Sequence, residues 1–131
     1  MSSIHETAVI APGAGLAEDV EVGPYCVIGE KVKLGAGTKL HSHVVLDGNT
    51  TIGAGCEIFP FASIGTRTQD LKYRGGDTCV KVGNDTTIRE YVTINSATND
   101  GESTEVGAEC HIMAYAHIAH ACKVGNEVIM S

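Results

Sequence analysis

The sequence predicts an all-β fold, a parallel β-helix of triangular cross-section, from three observations. Aliphatic residues recur at every sixth position, a small or β-branched residue usually follows four places later, and glycine often stands directly after the aliphatic. A period of six fits neither the 3.6 of an α-helix nor a meander that turns every eight to twelve residues. It fits short strands joined by tight corners, three to a coil, with each coil hydrogen-bonded to the next at about 4.8 Å.

The first stretch carries Ile4, Ile10, Leu16, Val22, Ile28, Leu34, Leu40, Leu46, Ile52, Ile58 and Ile64 without a break. The same phase resumes at Val82, Ile88 and Ile94, and again at Val106, Ile112, Ile118, Val124 and Met130; Asp70, Gly76 and Asp100 interrupt it. These slots make about six coils, a prism roughly 30 Å tall, and every aliphatic in them is expected to point into one core. Cys26, Cys56, Cys110 and Cys122 all stand four places after an aliphatic, which reads as corner packing.

Composition agrees with one domain of thin, uniform layers. Aromatic residues are scarce at 5%, with no Trp, and glycine is frequent at 16 residues, where a β-sandwich would draw on larger side chains. A formal charge of −7 with nine Lys and Arg argues against nucleic acid, whose phosphates need clustered cations. The chain shows no membrane-span-length apolar run and no signal-peptide start, and its five Cys include no C-x-x-C pair, so a cytoplasmic, reducing setting is expected.

Function is expected where the repeat fails. Two insertions break it, near 65–81 and 95–105, and if both loop out, counting hexads in threes stacks Ile64, Ile94 and Ile118 on one face of successive coils. Both loops then leave from one corner, and His120, two residues after Ile118, lies at that corner in the next coil. His117 lies one before Ile118, facing outward. The first loop mixes Gln69, Asp70, Arg67, Lys72 and Arg74, a set suited to hydroxyls and phosphates, although a solvated turn has the same composition. Imidazole is the usual general base near neutral pH, which makes His117 and His120 the candidates for chemistry. His5, His41, His43 and His111 read as ordinary surface residues.

Specific segments then resemble a known family. The repeat [LIV]-G-x-x-[small]-x looks like that of the hexapeptide-repeat acyltransferases, whose coils are left-handed. Ser42-His43-Val44-Val45, Phe61-Ala62-Ser63-Ile64-Gly65, Gln69-Asp70-Leu71-Lys72-Tyr73, Arg89-Glu90-Tyr91-Val92-Thr93-Ile94 and Ala116-His117-Ile118-Ala119-His120 resemble, in the same order, segments of the UDP-N-acetylglucosamine O-acyltransferases of lipid A biosynthesis. The resemblance implies transfer of a 3-hydroxyacyl group from acyl carrier protein to the 3-hydroxyl of UDP-N-acetylglucosamine, with His120 as catalytic base. It implies that Gln69, Asp70, Lys72 and His117 bind substrate, that no cofactor or metal is used, and that the protein is a homotrimer with sites between prisms.

Two departures follow from the same comparison. Ala121 stands where family members often carry Asp, so the partner that orients His120 must come from elsewhere. The chain also stops at Ser131 in mid-repeat, whereas members of the family continue with further coils and a helical domain. Residues 1–131 are therefore expected to be one β-helix domain, the N-terminal half, with C-terminal coils and helical domain missing. The alternatives are a γ-carbonic-anhydrase-like zinc enzyme, for which His117 and His120 supply two of three ligands, and a catalytically inert β-helix fragment.

Overall fold

The computed structural model describes all 131 residues, and they form nineteen short strands with no helix. Three parallel sheets make the faces of a prism. The first runs Ser3–Ile4, Glu21–Val22, Lys39–Leu40, Glu57–Ile58, Thr87–Ile88, His111–Ile112 and Ile129–Met130. The second runs Val9–Ile10, Val27–Ile28, Val45–Leu46, Ser63–Thr66, Thr93–Asn95 and His117–Ile118. The third runs Gly15–Leu16, Lys33–Leu34, Asn49–Ile52, Cys79–Val82, Ser103–Val106 and Lys123–Val124. Most strands are two residues long because the chain must turn a corner every six.

Within each strand the second residue points inward, so like stacks on like along the prism axis. Ile58 pairs with Leu40 below and Ile88 above, and Ile64 with Leu46 and Ile94. Ile28, Leu40, Leu46, Ile52, Ile58, Ile64, Ile88, Ile94, Ile112 and Ile118 are all buried in a single cluster. The expectation of uniform burial fails at the two ends. Ile4 is 50% exposed, and Ile10, Leu16, Val124 and Met130 are half-buried, because the outermost layers have a neighbouring layer on one side only.

The slot two places before each aliphatic, which in the plain coils is four places after the last one, fills the corners. Val20, Val32, Val44, Val80 and Val92 are buried there, as are Thr38, Thr50, Thr86 and Thr104. The threonines satisfy their hydroxyls across coils: Thr38 donates to the Gly53 carbonyl at 2.7 Å and accepts from the Cys56 amide at 3.2 Å. Thr86 repeats the pattern with Gly107 and Cys110. Cys26, Cys56 and Cys110 are buried free thiols, and burial pushes Cys26 and Cys56 up from the ordinary thiol range, which keeps them unreactive. Cys122 departs from the corner-packing expectation. It is exposed because no further layer covers it.

Ten non-glycine residues hold positive φ, and they mark the corners. At the corner between the first and second sheets these are Tyr25, His43, Phe61, Tyr91 and Tyr115, one per coil, and their rings stack in sequence at 5.0 to 5.1 Å between centroids. Beside them His41 stacks on Phe59 at 4.4 Å and meets Glu57 at 2.7 Å, while the Arg89 guanidinium lies over the Phe59 ring. His41 and His43 are thus rungs of ladders rather than isolated surface residues.

The layered core sets a stability expectation. Ile58→Ala, at 0% exposure, should cost about 2–5 kcal/mol, whereas Ile4→Ala should cost less than about 1 kcal/mol. Urea unfolding of the two variants beside the parent, with the slope unchanged, checks this.

Candidate functional site

Both insertions leave the prism at the corner between the second and third sheets. The strand-free stretches are shorter than the expected 65–81 and 95–105: they cover 67–78 and 96–102, because strands continue to Thr66 and Asn95 and restart at Cys79 and Ser103. Parallel pairing on both sides captures these ends. Cys79–Val82 pairs with Asn49–Ile52 below and Ser103–Val106 above through all four residues. At the first exit Gly65 has φ +89°, and a Cβ there would run into Thr50 Oγ1 and the Asp47 carbonyl, so the loop can leave over the coil beneath at a glycine alone.

The second loop is packed beneath the first. Asn95, Ser96, Ala97 and Thr98 are all buried, at 0–7% exposure. The Ser96 amide donates to the Thr66 carbonyl at 2.9 Å, Asn95 Nδ2 to Thr66 Oγ1 at 3.1 Å, and the Gly101 amide to the Asp77 carbonyl at 2.7 Å. Thr78 and Ser96 share a hydroxyl hydrogen bond of 2.6 Å, and the Asp77 amide donates to Asp100 Oδ1 at 2.6 Å. The first loop therefore rests on a hydrogen-bonded floor.

Ile64, Ile94 and Ile118 are register partners, which carries His117 and His120 to the coil directly beyond the two loop exits. The outcome is an open cleft lined by Gln69, Asp70, Lys72, Asn95, His117, Ala119 and His120. Asp70 Oδ2 stands 3.5 Å from His120 Nε2 within one chain, with side-chain exposures of 18% and 42%. That separation exceeds the usual 2.7–3.2 Å of a good N–H···O bond, so neither group is fully satisfied by the other. His117 Nδ1 lies 2.7 Å from Thr93 Oγ1, which fixes its ring on the outer face of the second sheet. A larger polar cleft on another side of the first loop, lined by residues including Lys31, Asp47, Arg67, Tyr73 and Asp77, contains no histidine.

Asp70 is held from four directions. Its amide donates to Thr68 Oγ1 at 3.0 Å, its Oδ1 accepts the Lys72 amide at 3.0 Å, and its Oδ2 accepts the Thr98 hydroxyl at 2.9 Å beside His120. The Lys72 amide and then the Thr98 hydroxyl stabilise the charged form, with His120 and Lys72 adding a smaller attraction, so the carboxyl titrates below the ordinary carboxylate range. Ala121 occupies the left-handed corner after His120, at φ 58°, and its amide donates to Thr104 Oγ1 at 2.9 Å. Ala121 thus serves through its main chain, and the carboxylate nearest His120 is Asp70, from the first loop.

Known proteins resemble the chain over its whole length. A profile for bacterial transferase hexapeptide repeats matches residues 1–36. The acyl-[acyl-carrier-protein]–UDP-N-acetylglucosamine O-acyltransferase of Thermodesulfovibrio yellowstonii is 54% identical over 132 residues, covering 100% of this chain and 51% of that protein. The chain matches the N-terminal half of the UDP-N-acetylglucosamine O-acyltransferases. The enzyme of the same name from Azorhizobium caulinodans is 50% identical over 94% of this chain and 46% of its own length. The LpxA structure from Acinetobacter baumannii superposes with a TM-score of 0.93 at 50% identity, over 96% of this chain and 49% of that one. With these acyltransferases the chain shares the left-handed parallel β-helix, and it spans about half their length.

Of the residues singled out in the sequence, Gln69, Asp70, Lys72, His117 and His120 all line the one cleft. Thr98 and Asn95 were not anticipated. Thr98 sits four places after Ile94, as Thr68 sits four places after Ile64, but the register partner of Thr50 and of Thr104 at this corner is Val80, so both threonines belong to the insertions and no repeat position marks them.

Because its folded-state pKa lies below the unfolded value of about 3.9, Asp70 favours folding above that value, and the contribution is lost as pH falls through the folded pKa. Asp70→Asn should flatten the acid limb of stability against pH relative to the parent, as read by denaturant midpoints from pH 7 down to acid.

Proposed function

We propose that this chain carries the sugar-nucleotide site of an acyltransferase that moves a 3-hydroxyacyl group from acyl carrier protein to the 3-hydroxyl of UDP-N-acetylglucosamine, the opening step of lipid A biosynthesis. The observation that carries the reading is the approach of Asp70 to His120 at 3.5 Å, from a loop on one side and a coil on the other. A carboxylate accepts hydrogen bonds and a neutral imidazole nitrogen accepts a proton. Two such groups, close but not bonded tightly to each other, suit the adjacent hydroxyls of a sugar.

In this mechanism His120 takes the proton of the 3-hydroxyl as the oxygen attacks the thioester carbonyl. The carbon–sulfur bond of the tetrahedral intermediate then breaks, and the imidazolium returns the proton to the departing thiolate. Asp70 accepts a neighbouring hydroxyl and sets the sugar's orientation, a proximity effect. Gln69, Lys72 and His117 hold the remaining polar groups of the substrate, Lys72 as a cation toward the diphosphate. The cleft is open on its outer side, which fits a homotrimer in which a second prism closes it. A cytoplasmic location belongs to the same reading. For this chain, no helix is long and apolar enough to cross a membrane.

Calorimetric titration of UDP-N-acetylglucosamine should register binding to the parent, and binding weakened by Asp70→Asn. In the complete gene product His120→Ala should lower transfer by about 10²–10⁴, with a smaller loss for His117→Ala. A His120→Ala enzyme within a fewfold of the parent rate would exclude the base assigned here.

A further inference from the structure

We infer that Thr98, on the second loop, is a positioning residue that holds the Asp70 carboxylate in its working orientation toward the ligand shared with His120. The inference rests on the reading of Asp70 and His120 as one substrate site. Thr98 is 6% exposed, and its hydroxyl lies 2.9 Å from Asp70 Oδ2, the same oxygen that faces His120 Nε2. An ionised carboxylate accepts and cannot donate, so the hydroxyl must be the donor.

The Asp70 side chain has two points of restraint with different consequences. The Lys72 amide bonds Oδ1 two residues on, closing a local turn that travels with the loop. The Thr98 bond alone ties the carboxylate to the other insertion, and through it to the coil that precedes His120. With Oδ1 held by the Lys72 amide, the Thr98 hydroxyl gives the second oxygen a fixed donor on the side that faces Nε2.

A purely structural duty is the competing account, and the surrounding bonds argue against it. The two loops are joined independently by Ser96 to Thr66, Thr78 to Ser96, Gly101 to Asp77 and Asp77 to Asp100. Removing one hydroxyl leaves that frame in place. Thr98→Val keeps the branched shape and deletes the donor, whereas Thr98→Ser keeps the donor and deletes a methyl group.

The test reads the Asp70 carboxyl by carbon-13 NMR titration in the parent, Thr98→Val and Thr98→Ser, with Asp70→Asn identifying the resonance. The titration of Asp70 should move up toward the ordinary carboxylate range in Thr98→Val and return in Thr98→Ser, with His120 and Lys72, the other charged groups facing it, unchanged in sequence. UDP-N-acetylglucosamine binding should weaken roughly tenfold in Thr98→Val and recover in Thr98→Ser, and Thr98→Val should add nothing in an Asp70→Asn background. Should Thr98→Val not fold, Thr98→Ala, which also deletes the donor, carries the same expectations. An unmoved Asp70 titration, or a full loss of binding added on top of Asp70→Asn, overturns the inference. Absence of nucleotide-sugar binding in the parent overturns the acyltransferase reading instead, and the titration still decides Thr98.

Discussion

Main-chain hydrogen bonding from each coil to the next is the constraint on which the rest of this molecule depends. The Val27 amide reaches the Val44 carbonyl at 2.9 Å, Ser63 reaches Val92 at 2.9 Å, and Thr93 reaches Ala116 at 3.1 Å. The first pair is separated by a plain coil, while the others are separated by a coil plus an insertion. The bond is the same in each case. Since buried amides and carbonyls must be paired, an insertion can enter this fold if it returns the chain to the register it left. Both insertions do so, which is why Ile64, Ile94 and Ile118 still stack.

The same constraint explains how a chain with short strands builds a rigid site. Successive coils place their corners one above another, so residues distant in sequence meet at fixed height and angle. Asp70 and His120 are fifty positions apart, yet neither depends on a hinge between domains. Each is anchored by a strand within a few residues: Ser63–Thr66 precedes the first loop, and His117–Ile118 precedes His120. Preorganisation of this sort matters wherever several groups must meet a ligand in one geometry.

Much of this was legible in the sequence because a solenoid writes its three-dimensional period into one dimension. The aliphatic ladder, the corner slot and the common exit of the two insertions follow from counting, and the structure agrees at Ile64, Ile94 and Ile118. Three features were hidden for physical reasons. Exposure of Ile4 depends on how many layers lie beyond it rather than on its own type. The stacked rings of Tyr25, His43, Phe61, Tyr91 and Tyr115 share a phase, but His43 read alone has the chemistry of any surface histidine. Residues 95–98 have the composition of a solvated turn, and their burial comes from the first loop lying over them, a contact no local pattern encodes.

The position of Ala121 shows how these levels divide the work. A left-handed backbone at a non-glycine residue costs roughly 1–2 kcal/mol, and here it is accepted because the corner brings the Ala121 amide to Thr104 Oγ1 and the chain into the third sheet. A side chain at that residue is committed to the corner. The carboxylate near His120 instead arrives on an insertion, where its height over the imidazole is set by loop length and by Thr68, Lys72 and Thr98 rather than by the prism. The repeat can therefore keep its register while the loops set the distance between carboxylate and imidazole. In this arrangement the coil fixes His120, the first insertion supplies Asp70, and the second insertion determines where Asp70 points.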